Sequence, residues 1–125
     1  MVEGMSKINY KGKEIIVTDY TNVGSSKEKT IELIKGVVEE FIDVKKHSPN
    51  SILGLTNVTN LRFDMDVLKE FKEAGAKTKP FEKKVALVGV KGLLKAGYNF
   101  VIGLTSSTYK AFETEQEAKD WLVSD

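Results

Sequence analysis

Apolar residues recur along this chain with two periods, and the switches between them mark out its elements. "KINYKGKEIIVTDY" reads as two strands around Gly12, the second running from Glu14 to Asp19 on the β-branched run Ile15, Ile16, Val17 and Thr18. A Lys-Gly-Lys link this short makes them an antiparallel hairpin. Next, Ile31, Ile34, Val38, Phe41 and Ile42 fall at helical spacing on one face. Ser25 and Glu28 form a capping-box pattern before them. Lys45 and Lys46 complement the dipole of the last turn, and Pro49 with Asn50 stops the helix. "SILGLTNV" is apolar enough at its start to be a central strand, buried on both faces.

Asp64 is the predicted cap of a second helix, with Phe63 and Leu68 as a hydrophobic staple. Val67, Leu68, Phe71 and Ala74 continue this helix, and Gly75 ends it. "KKVALVGV", 83–90, is another buried strand. "KGLLKAGYNFVIGLTSS" is ambiguous: Leu93, Leu94, Val101 and Leu104 suit a helix, but Gly97 and Gly103 each cost about 1 kcal/mol there. "YKAF" is a short last strand. "TEQEAKDWLVSD" is a terminal helix, capped by Thr114 and Glu117, with Ala118, Trp121 and Leu122 inward. The order ββαβαβαβα predicts an α/β fold: a mixed, mostly parallel sheet of about five strands, antiparallel at its N-terminal edge, with about four helices. A chain of 125 residues suits one domain, 1–125.

Composition narrows the function. Nineteen basic residues against 18 acidic ones leave a net charge of +1, which gives no reason to expect a nucleic-acid partner. The absence of cysteine removes disulfides, thiolate nucleophiles and cysteine metal sites. The lone histidine, His47, cannot make a triad or a zinc site, and its place at a helix end predicts a surface role. Asp19 stands alone and the third strand ends in Asn57, so no magnesium site of the receiver type is expected beside Asp64 and Asp66. No cofactor is expected. The N-terminus lacks a secretory pattern, and the apolar runs fall far short of a membrane span. The expectation is a cytoplasmic protein.

"KEIIVTDYTNV" before the long helix, "ILGLTNVTNLRFD", "KKVALVGVKGLL" and the ending "FETEQEAKDWL" together resemble the SpoIIAA-like family of STAS-type domains, whose fold is related to CRAL-TRIO lipid-binding domains. The resemblance covers nearly the whole chain. In STAS domains that antagonise anti-sigma factors, the turn after the third strand carries Asp-Ser-Ser-Gly, with a serine that is phosphorylated. The matching "RFDM", Arg62 to Met65, has no Ser, Thr or Gly, so the resemblance does not bring a phosphoswitch with it.

Ligands of open α/β sheets sit beyond the carboxyl ends of the strands. Thr56, Asn57, Thr59 and Asn60 fall there, with Arg62 and Asp64 just after. They suit a neutral polar ligand or a peptide backbone; equally, Asn and Thr make turns and caps. "VGVKGLLK" offers Gly89, Gly92, Lys91 and Lys95 as an anion-holding turn, without P-loop or GxGxxG spacing. Tyr98, Phe100, Val101 and Ile102 form an apolar cluster that can cover a ligand or fill core. The cluster around Trp121 and Leu122 is the inner face of the last helix or part of a dimer contact.

These residues predict a non-enzymatic regulatory or scaffolding module that binds an unknown protein partner through residues 56–68. The alternative is a carrier or sensor for a small apolar ligand near residues 93–104, where a cavity beneath the segment would favour the carrier. A homodimer is the expected assembly.

Overall fold

Lys11 and Gly12 both take positive φ, 50° and 83°, the geometry that turns a strand straight back on itself. β1 (Met5–Tyr10) and β2 (Lys13–Asp19) therefore pair antiparallel, with Tyr10 opposite Lys13. The chain continues through α1 (Lys27–Phe41), β3 (Ile52–Asn57), α2 (Met65–Thr78), β4 (Glu82–Val88), α3 (Lys95–Gly103), β5 (Tyr109–Phe112) and α4 (Glu115–Val123). The computed structural model describes residues 1–104, 106 and 108–124. Thr105, Ser107 and Asp125, at the tails of two segments expected as helix, lie outside the described residues.

The sheet runs β1-β2-β3-β4-β5, and β2 to β5 are parallel. This is the mixed sheet with an antiparallel N-terminal edge, and the four helices, that the periodicity predicts. Each parallel strand is added on the same side of the one before, so right-handed crossovers carry α1, α2 and α3 onto one face. Leu33, Ile34 and Phe41 of α1, Val67 of α2 and Val101 of α3 share that face with Ile16, Val85 and Leu87. The helix α4 covers the other, where Ala118 and Leu122 meet Ile15, Leu53, Leu55, Ala86 and Val88. Its cap is the predicted Thr114, whose Oγ1 accepts from Glu117 N–H at 3.2 Å; the Glu117 carboxylate answers to the Thr114 hydroxyl, at 3.0 Å, where a full capping box would use the Thr114 backbone N–H.

Several boundaries differ from expectation, each for a local reason. The cap of α1 is Ser26, not Ser25: the turn from Tyr20 to Gly24 takes up one more residue, and Ser26 Oγ accepts from Lys29 N–H at 3.3 Å. The helix stops at Phe41, so Lys45 and Lys46 lie beyond it. The chain instead folds back until Lys46 Nζ and His47 Nε2 reach the Glu40 carboxylate, at 3.2 and 2.9 Å. His47 is thus not a surface group, since its side chain is buried against that carboxylate. Gly75 does not end α2, which runs on to Thr78 and stops before Pro80. The fourth strand ends at Val88 because Gly89 takes φ +88°, where a Cβ would collide with Thr59. Residues 92–104 are not one helix. A 3-10 turn, Val90–Gly92, and extended Leu93 and Leu94 precede α3. Gly97 is required within α3 because the Phe63 ring lies where its Cβ would be.

Candidate functional site

The sequence places a row of hydrogen-bonding groups where β3 ends, and the structure divides them. Asn57 Oδ1 accepts from both Thr59 N–H, at 3.0 Å, and Thr59 Oγ1, at 2.6 Å. That Asx turn uses both side chains for local geometry. Asn60 follows with φ +63°, in the left-handed region that Asn tolerates. Asp64 caps α2, accepting from Val67 N–H at 2.9 Å. Lys27 at the start of α1 reaches Asp66 at 2.8 Å and Asp64 at 3.9 Å. This contact holds the Asp66 carboxyl below its usual range and raises the Lys27 ammonium. Asn60, Arg62 and Asp64 share a groove with Gly92, Leu94 and Gly97. Lys91 pairs with Glu113 on the surface, and Tyr98 is exposed on α3; neither lines that groove.

Thr56 goes elsewhere. Its side chain faces the α1–α3 side of the sheet, beside Thr18 of β2 on one flank and Leu87 of β4 on the other. There a cavity of about 480 Å³ lies between the sheet and the helices, within the range of small-molecule sites. Its floor is Thr18, Thr56, Val85 and Leu87, and its walls include Ile34, Val37, Phe41, Phe71 and Phe100. Most of that surface is apolar. Exposed Lys72, Lys79 and Leu104 mark its mouth.

The space comes from small residues on α2. Ala74, Gly75 and Ala76 line it, and a Cβ on Gly75 would meet nothing within 4 Å. Larger rings hold the helices apart. Phe71 stands edge-on to Tyr20 at 5.4 Å between centroids and touches Phe63 at 5.4 Å and Phe100 at 6.3 Å. Polar groups sit at both ends. Toward the start of β4, the buried Glu82 carboxyl accepts from the Tyr109 and Thr78 hydroxyls. Burial pushes its pKa up, against the pull of those two hydrogen bonds. Toward the carboxyl edge lie Thr18, Tyr20 and Thr56, where burial alone raises the Tyr20 phenol. The two ends are separated by the length of β4 from Glu82 to Leu87, roughly 16 Å at the usual strand rise.

No protein-family model matches this chain, and no curated protein sequence matches it. A solved structure does. An uncharacterized protein from Shewanella loihica PV-4, described as a DUF3478 family member with a SpoIIAA-like fold, superposes with a TM-score of 0.60. The alignment spans 94% of this chain and 91% of that one, at 15% identity. The fold is SpoIIAA-like.

In this SpoIIAA-like fold the turn after β3 carries Asp64 as an ordinary helix cap, its carboxylate engaged with the backbone of α2. Of the eight residues singled out from sequence, the structure gathers Asn60, Arg62 and Asp64 and sends Thr56 alone to the cavity. Sequence reading missed Thr18, Tyr20, Thr78, Glu82 and Tyr109. One signal was present: in Ile16, Thr18, Tyr20, a polar residue stands at the middle of a core-facing alternation.

No described helix is long and apolar enough to cross a membrane.

Proposed function

We propose that this protein is a non-enzymatic carrier or sensor of a small apolar ligand, working in the cytoplasm and holding its ligand between the sheet and α2–α3. The observation that carries this reading is the cavity of about 480 Å³, largely apolar and bordered by Phe71 and Phe100. Small residues at Ala74, Gly75 and Ala76 favour it further, because a glycine inside a helix costs roughly 1 kcal/mol and nothing in the packing around Gly75 requires it. The test uses the neutral fluorophore N-phenyl-1-naphthylamine with the wild type and Ala74→Phe. Wild type is expected to brighten the fluorophore saturably, and Ala74→Phe to weaken binding at least tenfold. Equal binding by both proteins refutes the site. Native mass spectrometry of the protein as purified, compared with the denatured mass, reads any retained ligand and the assembly state together.

A second reading, a module binding another protein around residues 56–68, is favoured by Met65 and Leu94. Leu94 lines the groove of Asn60, Arg62 and Asp64 and is 83% exposed, and Met65, next to Asp64 in the chain, is 82% exposed.

A further inference from the structure

The two polar ends of the cavity differ in how their groups are satisfied. The Glu82 carboxyl already has the Tyr109 and Thr78 hydroxyls. Thr18, Tyr20 and Thr56 have no side-chain hydrogen bond to any described residue. None of the three oxygens is sealed off from solvent-sized space. For Thr18 and Tyr20, each only 2% exposed, that space is the cavity they line. Thr18 and Thr56 stand directly opposite each other on β2 and β3, so their side chains are neighbours in the cavity lining. Of the charged groups of the lining, Glu82 lies at the far end, and Lys72 and Lys79 are exposed to solvent.

We infer that the ligand is an uncharged amphiphile whose hydroxyl or carbonyl head hydrogen-bonds Thr18, Tyr20 and Thr56, with its apolar body lying along Leu87, Val85 and Phe100. The inference rests on the cavity reading above and gives that ligand a chemical class. A plain hydrocarbon would cover the three hydroxyls and leave them unpaired, which is costly in an apolar interior. An anionic head would shed its hydration among three neutral hydroxyls, while the two lysines of the lining stay exposed to solvent. A neutral oxygen-bearing head meets the hydroxyls without either cost, because each can donate or accept.

The experiment compares 1-decanol and decanoate as displacers of N-phenyl-1-naphthylamine from the wild type and from Thr18→Val/Tyr20→Phe. Both substitutions keep side-chain shape and remove only the hydroxyl, and a melting curve checks the fold. 1-Decanol is expected to displace from the wild type at about tenfold lower concentration than from the double variant, the worth of two neutral hydrogen bonds. Decanoate is expected to be the weaker displacer on the wild type. If the double variant does not fold, Thr56→Val alone is expected to weaken 1-decanol about threefold. Equal displacement by 1-decanol from wild type and variant overturns the neutral head while leaving the cavity standing, as does decanoate outcompeting 1-decanol. A wild type that fails to bind the fluorophore overturns the cavity reading and this inference with it.

Discussion

Helix α4 lies on one face of the sheet and α1, α2 and α3 on the other, and the two coverings fill space differently. Under α4, Ile15, Ala86 and Ala118 have no solvent exposure, and Phe112 and Trp121 pack ring against ring at 5.4 Å. Under α2 and α3 a cavity of about 480 Å³ stays open. Both faces use β-branched and leucine residues from the same strands, so the sheet does not make the difference. The helices do. The buried residues of α4 fit close against the sheet, while α2 presents Ala74 and Gly75 beside one large ring, Phe71. The face with one short helix is the filled one, and the face with three helices keeps room.

Four substitutions test that contrast. The largest effect belongs to Leu122→Ala under α4, which is expected to cost about 3–5 kcal/mol because a close-packed site collapses poorly. Leu87→Ala on the cavity floor is expected to cost less, about 2 kcal/mol, since its side chain already borders open space. Urea unfolding reads both, and equal losses would mean that the two faces are equally filled. Next comes a matched pair of enlargements. Ala118→Phe overpacks and is expected to destabilise by about 1–3 kcal/mol or more, whereas Ala74→Phe enters the cavity and is expected to stay within about 1 kcal/mol of wild type. A large loss from Ala74→Phe would show that the space cannot accept a ring.

The smallest effect concerns pH and sets Glu82 against Glu40. The Glu82 carboxyl is pushed up by burial, so the native state holds its proton more tightly than the unfolded chain. Its contribution to stability is present below the ordinary glutamate pKa and is lost as pH rises through the folded value. Glu40 is the opposite case. Burial works against its charge, but hydrogen bonds from His47 and Lys46 outweigh burial and hold the carboxyl low. Its contribution is present above the ordinary value and is lost as pH falls through the folded one. Glu82→Gln is therefore expected to raise the melting temperature at pH 7 and to leave it nearly unchanged at pH 4. A rise of the same size at both pH values would mean that the carboxyl does not titrate differently on folding.

The element order was legible because burial on a helix or strand face imposes a period on the chain, and the ββαβαβαβα reading follows from it. Local hydrogen bonding decided the ends instead. Gly75 reads as a helix stop by residue type, yet its backbone stays helical and its missing side chain opens the cavity. Glu40 gathers Lys46 and His47 from six and seven residues on, which no helical spacing announces. The candidate site was legible at Thr56 and in the 93–104 segment, whose Phe100 and Leu104 line the cavity. Asn57 and Thr59 have the same chemistry and spend it on each other. Thr18 is hidden within a β-branched run, and only its register opposite Thr56 makes it part of a site. That register is a tertiary fact that sequence spacing does not carry.

The strand order along the sheet is the order along the chain. Folding can therefore proceed by accretion, each new strand docking on the open edge left by the last, with no strand wedged between two already paired. Loop closures stay as short as crossover helices permit, which favours fast assembly for a parallel sheet. The final strand, β5, has only four residues and lends one flank to the cavity through Tyr109. An intermediate that lacks this last addition would have the floor of the cavity but not its side wall.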